Sequence, residues 1–226
     1  MPSAMFRSDR PTNYEEVYHG LAARLARADF RHARLDLGAR AAGARVAVDV
    51  LGWTCLVGQE GIEAADGAPL DFTIRICLAY YILHGGSGDL TGDWVAYRDF
   101  KDGAFFHAAF SRIVENKIAQ GFAHRASELA EAAARLKGES LSAGLGGDVC
   151  LRFPLLPKVP LALVFYEADE DFPASARVLY DASAPRFLDL ECLAVLGLIL
   201  ADQLVPAART DAVRAGPFGA RDAGRN

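Results

Sequence analysis

The chain has 226 residues, of which 52% are apolar, 23% charged and 10% aromatic, with 21 glycines and 10 prolines. Those proportions suit one substantial globular domain or two small ones, and they exclude a disordered chain, a collagen-like repeat or a coiled coil as a description of the whole. The formal charge is −5, with the acidic excess in the body of the chain and more arginine than acid at both ends, so a polyanionic partner such as nucleic acid is not expected.

Residues 1–13, MPSAMFRSDRPTN, hold no apolar core of a secretory signal and read as a disordered N-terminal tail. Residues 14–30 place Tyr14, Val17, Leu21, Leu25 and Ala28 at helical spacing, with Asn13 as N-cap and Glu15 and Glu16 in the first turn. The stretch 44–58 is rich in β-branched residues and alternates Val46, Val48 and Val50, which predicts strand, turn at Gly52, strand. Turn chemistry and a short strand follow over 61–70.

Phe72, Ile76, Ala79 and Leu83 form one stripe of a helix predicted over 71–86 and stopped by Gly85 and Gly86. A Gly/Ser/Asp loop leads to a strand expected over 94–100. Helical patterning returns from Gly103 to Lys137, with Gly121 expected to divide or kink it. After a loop at 138–148, strands are expected at 149–156, 159–169 and 176–181, and a mostly buried helix at 188–205 ended by Pro206.

The second of these strands is apolar on both faces and should be central. The longest apolar run, 193–201, is about half of what a bilayer needs, so no membrane span is expected and the protein is read as cytoplasmic. Residues 207–226 read as a disordered C-terminal tail. Helices and strands mix without strict alternation and no linker divides the middle, so the expected fold is α+β, a single domain over 14–206 whose mostly antiparallel or mixed sheet is packed by several helices.

The cysteines, Cys55, Cys77, Cys150 and Cys192, are scattered through apolar stretches, so they read as small buried hydrophobes and no iron–sulfur cluster is expected in this chain. The glycines of HGGSGDLTGDW (84–94) follow a helix and precede a strand, the reverse of a phosphate loop. They make either a direction-reversing loop or a mobile pocket wall.

Two histidines stand out. His84 ends an apolar helix beside that loop, where it answers the helix dipole or a ligand. His107 lies in GAFFHAAF, an aromatic setting that suits a packed imidazole or an axial ligand to a tetrapyrrole metal. Trp94 and Arg98 are expected on one side of a strand, with Arg98 able to read a carboxylate or phosphate. Glu167, Asp169, Glu170 and Asp171 follow a buried strand. Asp169, Glu170 and Asp171 are metal candidates if they are not simply a solvated turn, and Arg98 is expected to approach them across the sheet.

Several stretches together resemble an uncharacterised bacterial and archaeal family classed as a domain of unknown function. They are LAYYILHGG, then Trp94, Tyr97 and Arg98, then Gly147 and Asp148, Pro157 and Pro160, Asp169 to Pro173, and Leu179, Tyr180 and Asp181. The resemblance covers about residues 45–200; Asp171 and Tyr180 depart from its Glu and Phe.

Some members carry an iron–sulfur domain similar to that of corrinoid iron–sulfur proteins, which this chain lacks. The resemblance implies an accessory or binding protein for a cofactor or metabolite, corrinoid or haem, in anaerobic metabolism, and adds Asp148 and Asp181 to the ligand-binding candidates. The alternatives are a partner of a separate iron–sulfur or corrinoid-linked protein, and a metal-dependent enzyme using the 167–171 acids. The resemblance carries no catalytic residue, and the chain leaves oligomeric state open.

Overall fold

The computed structural model describes residues 11–142 and 144–205. The tail expected over 207–226 lies outside the described residues, as do residues 1–10 of the tail expected over 1–13. Residues 11–13 are not tail. Helix α1 runs Pro11–Leu25, because a proline is well placed in a first helical turn, so Asn13 is inside the helix and not its N-cap.

A second, six-residue helix, α2 (Arg31–Asp36), follows. Strands β1 (Arg40–Ala42), β2 (Arg45–Val50), β3 (Trp53–Gly58) and β4 (Gly61–Ala64) then form a four-stranded antiparallel meander in chain order. The β2–β3 turn is the expected one, with Leu51 at φ 49° and Gly52 at φ 86°, the left-handed pair that a two-residue hairpin requires.

Helix α3 (Phe72–His84) stops at Gly85 as expected, and Asp71, read as its first residue, is its N-cap. The Asp71 carboxylate accepts the Thr73 N–H at 2.8 Å, and Gly85 closes the helix in the left-handed conformation. The strand expected over 94–100 stops early. Strand β5 is only Trp94–Ala96, and Tyr97–Asp99 turn into a 3₁₀ helix. The Asp99 carboxylate reaches back to the Ala96 N–H (3.3 Å), and Gly103 packs so closely that a Cβ there would stand 2.1 Å from the Tyr97 carbonyl.

Helix α4 (Gly103–Phe110) continues through a π turn (Ser111–Glu115) into α5 (Asn116–Phe122). The expected division falls just after Gly121, which lies inside α5; a Cβ there would meet Val205 at 2.8 Å, so this glycine also serves packing. The break comes at Ala123–Arg125, where His124 takes φ 59°, before α6 (Ala126–Arg135).

A five-stranded antiparallel sheet completes the fold, in the order β5-β9-β8-β7-β6. Its remaining strands are β6 (Glu139–Ser140), β7 (Val149–Leu156), β8 (Val159–Tyr166) and β9 (Ser175–Asp181). A 3₁₀ turn (Ala184–Arg186) then leads to α7 (Leu190–Leu204), N-capped by Asp189. The fold is α+β, with two antiparallel sheets where one was expected.

A register shift in β7 between Pro154 and Leu156 joins them. The carbonyls of Pro154 and Leu155 at this bulge both receive the N–H of buried Leu51, each at 3.2 Å. One apolar core runs from Tyr18 and Leu21 on α1 through both sheets to Leu204 on α7. Among the described residues no helix is long and apolar enough to cross a membrane.

Strand β8 is central, as its sequence implied. Leu161, Leu163 and Phe165 enter the main core, while Ala162 and Val164 join Leu179 in a smaller cluster on the other face. A charge at Leu163, which has 0% exposure, would have no partner. Leu163→Asp is expected to cost several kcal/mol against a whole-domain stability of about 5–15 kcal/mol. The measurement is soluble yield with a thermal melt. A soluble L163D variant with a cooperative melt would show that β8 tolerates an open face.

Candidate functional site

The expected constellation around residues 84–98 and 167–173 is taken apart by the structure. Arg98 is not on a strand with Trp94. It sits exposed in the 3₁₀ turn and makes its ion pair with adjacent Asp99 at 3.8 Å, not with the 169–171 acids. Both partners are more than half exposed, so this pair adds little. Trp94 is half-buried at the start of β5, opposite Asp181, and packs on the Ala162–Val164–Leu179 cluster. His107 is half-buried on α4 with its Nδ1 buried and without a partner among the described residues, next to Phe105 and Phe106, which are 84% and 41% exposed.

The acidic segment builds the β8–β9 turn. Asp169 Oδ1 accepts the N–H groups of Asp171 (2.9 Å) and Phe172 (2.7 Å), and Asp148 accepts that of Glu167 (2.8 Å). Glu167 caps a helix far away in sequence: its two carboxylate oxygens accept the N–H groups of His124 (2.5 Å) and Ala126 (3.1 Å), at the start of α6. Asp169, Glu170 and Asp171 share one turn, yet among the described residues no group of three or more His, Cys, Asp or Glu is placed to hold a metal ion.

Asp181, at the end of β9, is 1% exposed. Its carboxylate accepts from Thr91 N (3.1 Å), Thr91 Oγ1 (3.0 Å), Gly92 N (2.7 Å), Ser183 N (2.9 Å) and Ser183 Oγ (2.5 Å). Burial alone would push its pKa up. The donors from Ser183, Thr91 and Gly92 outweigh burial and hold it at about 2. With so many donors on it, Asp181 has the work of positioning: it ties the glycine-rich loop to the 3₁₀ turn after β9.

That tie assembles a second, more open group. Gly86 lies against the 3₁₀ turn, where a Cβ would stand 2.0 Å from the Arg186 carbonyl. Lys158, in the β7–β8 turn, donates its ammonium to the Gly88 carbonyl (3.1 Å) and the Asp89 carboxylate (3.4 Å). Its backbone N–H donates to Tyr81 Oη (3.1 Å), which in turn donates to the Leu37 carbonyl (2.7 Å). Arg186 Nη1 lies 3.6 Å from where a Gly88 Cβ would be.

His32 on α2 comes from another side. Its Nδ1 is 2.7 Å from Asp36, and its Nε2, buried and without a partner among the described residues, is 3.6 Å from a Cβ position on Gly85. His84, exposed at the end of α3, precedes Gly85 in the chain. Cations and an imidazole from three separated segments thus flank Gly85–Gly88. Sequence reasoning found His84 and missed the others. Lys158 lies inside the Pro157–Pro160 motif and Arg186 inside SAPRF, but nothing in the chain order shows that these turns meet.

The family model described as Domain of unknown function (DUF3786) matches residues 29–203. The chain belongs to this family. The DUF3786 match spans both sheets and every residue named beside the glycine loop. A search of curated proteins and of solved structures finds no match to the chain.

Because the folded pKa of Asp181 lies below its unfolded value near 3.8, its contribution is fully present above about pH 4 and fades as the pH falls through about 2. The shift corresponds to roughly 2 kcal/mol. Asp181→Asn is expected to lose at least that at pH 7, with the gap to wild type closing toward pH 2. Urea unfolding of both proteins from pH 2 to pH 7 checks it, and an unchanged gap across that range would refute the assignment.

Proposed function

We propose that this chain is a cytoplasmic accessory or binding protein for an anionic cofactor or metabolite in anaerobic metabolism, with its ligand at the mouth formed by Gly85–Gly88. What supports the reading is one observation: His32, Lys158 and Arg186 flank the Gly85–Gly88 segment that His84 leads into. Lys158 and Arg186 supply positive charge beside Gly88, and the Nε2 of His32, without a partner among the described residues, is a donor or acceptor steadied by Asp36.

Corrinoid and haem are the cofactors proposed first, since haem carries carboxylates and many corrinoids a phosphate at the periphery, and His84 offers an exposed imidazole. Titration with hydroxocobalamin and with haemin, read by absorbance and by co-elution on gel filtration, tests the reading. Binding in the micromolar range is expected, weakened about tenfold or more in Lys158→Ala and Arg186→Ala. No spectral change and no co-elution with either compound at tens of micromolar (about 50 µM) would remove both from consideration.

A second reading, a partner of a separate iron–sulfur or corrinoid-linked protein, draws on the adjacent exposed rings of Phe105 and Phe106 on α4. It requires that co-elution with a purified iron–sulfur protein be lost in Phe105→Ser; equal co-elution by that variant would move the contact elsewhere.

A further inference from the structure

On the other side of α2 from the glycine loop, an open cleft of about 450 Å³ lies between this helix, the β1–β2 turn and the β3–β4 turn. Three arginines line it: Arg31 and Arg34 from α2, and Arg45 from the first position of β2. Arg31 and Arg34 are three apart and share a helix face, whereas His32 and Asp36 point around the helix toward Gly85. Gly43, at φ 65°, lets the β1–β2 turn close in two residues and keeps the floor of the cleft low.

Asp29 is the one acid on the lining, and it pairs with Arg31 at 3.7 Å. Arg45 pairs with Glu63, which is not on the lining, and Arg34 has no ion pair among the described residues. The lining therefore has one acid against three guanidiniums, in a chain whose formal charge is −5. Two of the three guanidiniums already face a carboxylate, and Arg34 is the cation left without one among the described residues.

We infer that this cleft is a binding site for a small organic phosphate. A phosphomonoester offers several anionic oxygens at neutral pH, enough to meet the uncompensated Arg34 and to share the guanidinium forks of Arg31 and Arg45 bidentately. The volume suits a small metabolite, lying within the range of about 300–1,000 Å³ common for such sites. An extended polyanion is disfavoured, because the acidic remainder of the chain would repel whatever ran past the cleft. The inference is independent of the site at the glycine loop, which α2 separates from it.

Calorimetric titration with glucose 6-phosphate, inorganic phosphate, glucose and citrate tests it. Binding of both phosphates but not of glucose is expected, weakening as salt is raised. Arg34 is exposed, so its variants should melt as wild type does. Arg34→Glu should lower affinity about tenfold or more, and Arg34→Lys should restore only part of it because charge returns without the fork. Asp29→Asn should tighten binding. The inference is overturned if neither phosphate binds at about 10 mM, if Arg34→Glu binds as wild type does, or if citrate binds as tightly as the phosphates.

Discussion

A carboxylate in a place with almost no water needs donors, and Asp181 recruits them from two segments that would otherwise be independent. Thr91 and Gly92 come from the loop before β5, and Ser183 from the turn after β9. Meeting that need brings β5 beside β9, where Trp94 stands opposite Asp181. It also sets the 3₁₀ turn 184–186 so that Gly86 can lie on the Arg186 carbonyl. The loop is thus held by a charge at each end, Asp181 on Thr91 and Gly92 and the Lys158 ammonium on the Gly88 carbonyl, although it has no regular hydrogen bonding of its own.

The join between the two sheets works on the same economy of polar groups. Leu51 is fully buried in a left-handed conformation that a leucine resists. Its N–H is taken by two carbonyls freed by the β7 bulge, and its side chain fills the core between the sheets. Pro154 sits at the bulge, and Pro160 lies beyond Leu161↔Tyr180, the last pair between β8 and β9, so neither proline removes a donor the ladder uses. The β7–β8 turn between them is then free to carry Lys158 to Gly88.

Much of the fold was legible because its determinants are local. Gly85 stops α3, the turn at Gly52 closes a hairpin, and the unbroken apolar run of β8 announced a strand covered on both sides, whereas the N-caps Asp71 and Asp189 were read as helix. The misreadings share a different cause. The strand from Trp94 was cut short by Asp99 folding back on Ala96, and the helix break at His124 is secured by Glu167 from beyond the next strands. Gly121, read as the breaker, lies inside α5 just before that break and leaves room for Val205. Of the site, His84 could be read because it ends a recognisable helix. Arg31, Arg34 and His32 could not, since α2 is too short for periodicity, and the meeting of Lys158 with Arg186 is a property of topology alone.

The helix running from Gly103 to Phe122 carries a π turn at Ser111–Glu115, and Glu115, buried at its end, accepts the Val178 N–H of β9 at 3.0 Å, below the point where β5 ceases to pair. A π turn amounts to one extra residue spliced into an α-helix. Five residues of a π turn sweep about the same angle as four of an α-helix, so the splice leaves Phe105, Phe106 and His107 in register with Ile118 and Phe122 and is felt only locally, at Glu115. The extra residue thus turns one carboxylate inward onto β9 while the exposed aromatic edge and the buried face beyond it stay on a single helix, a local detour in an otherwise continuous rod.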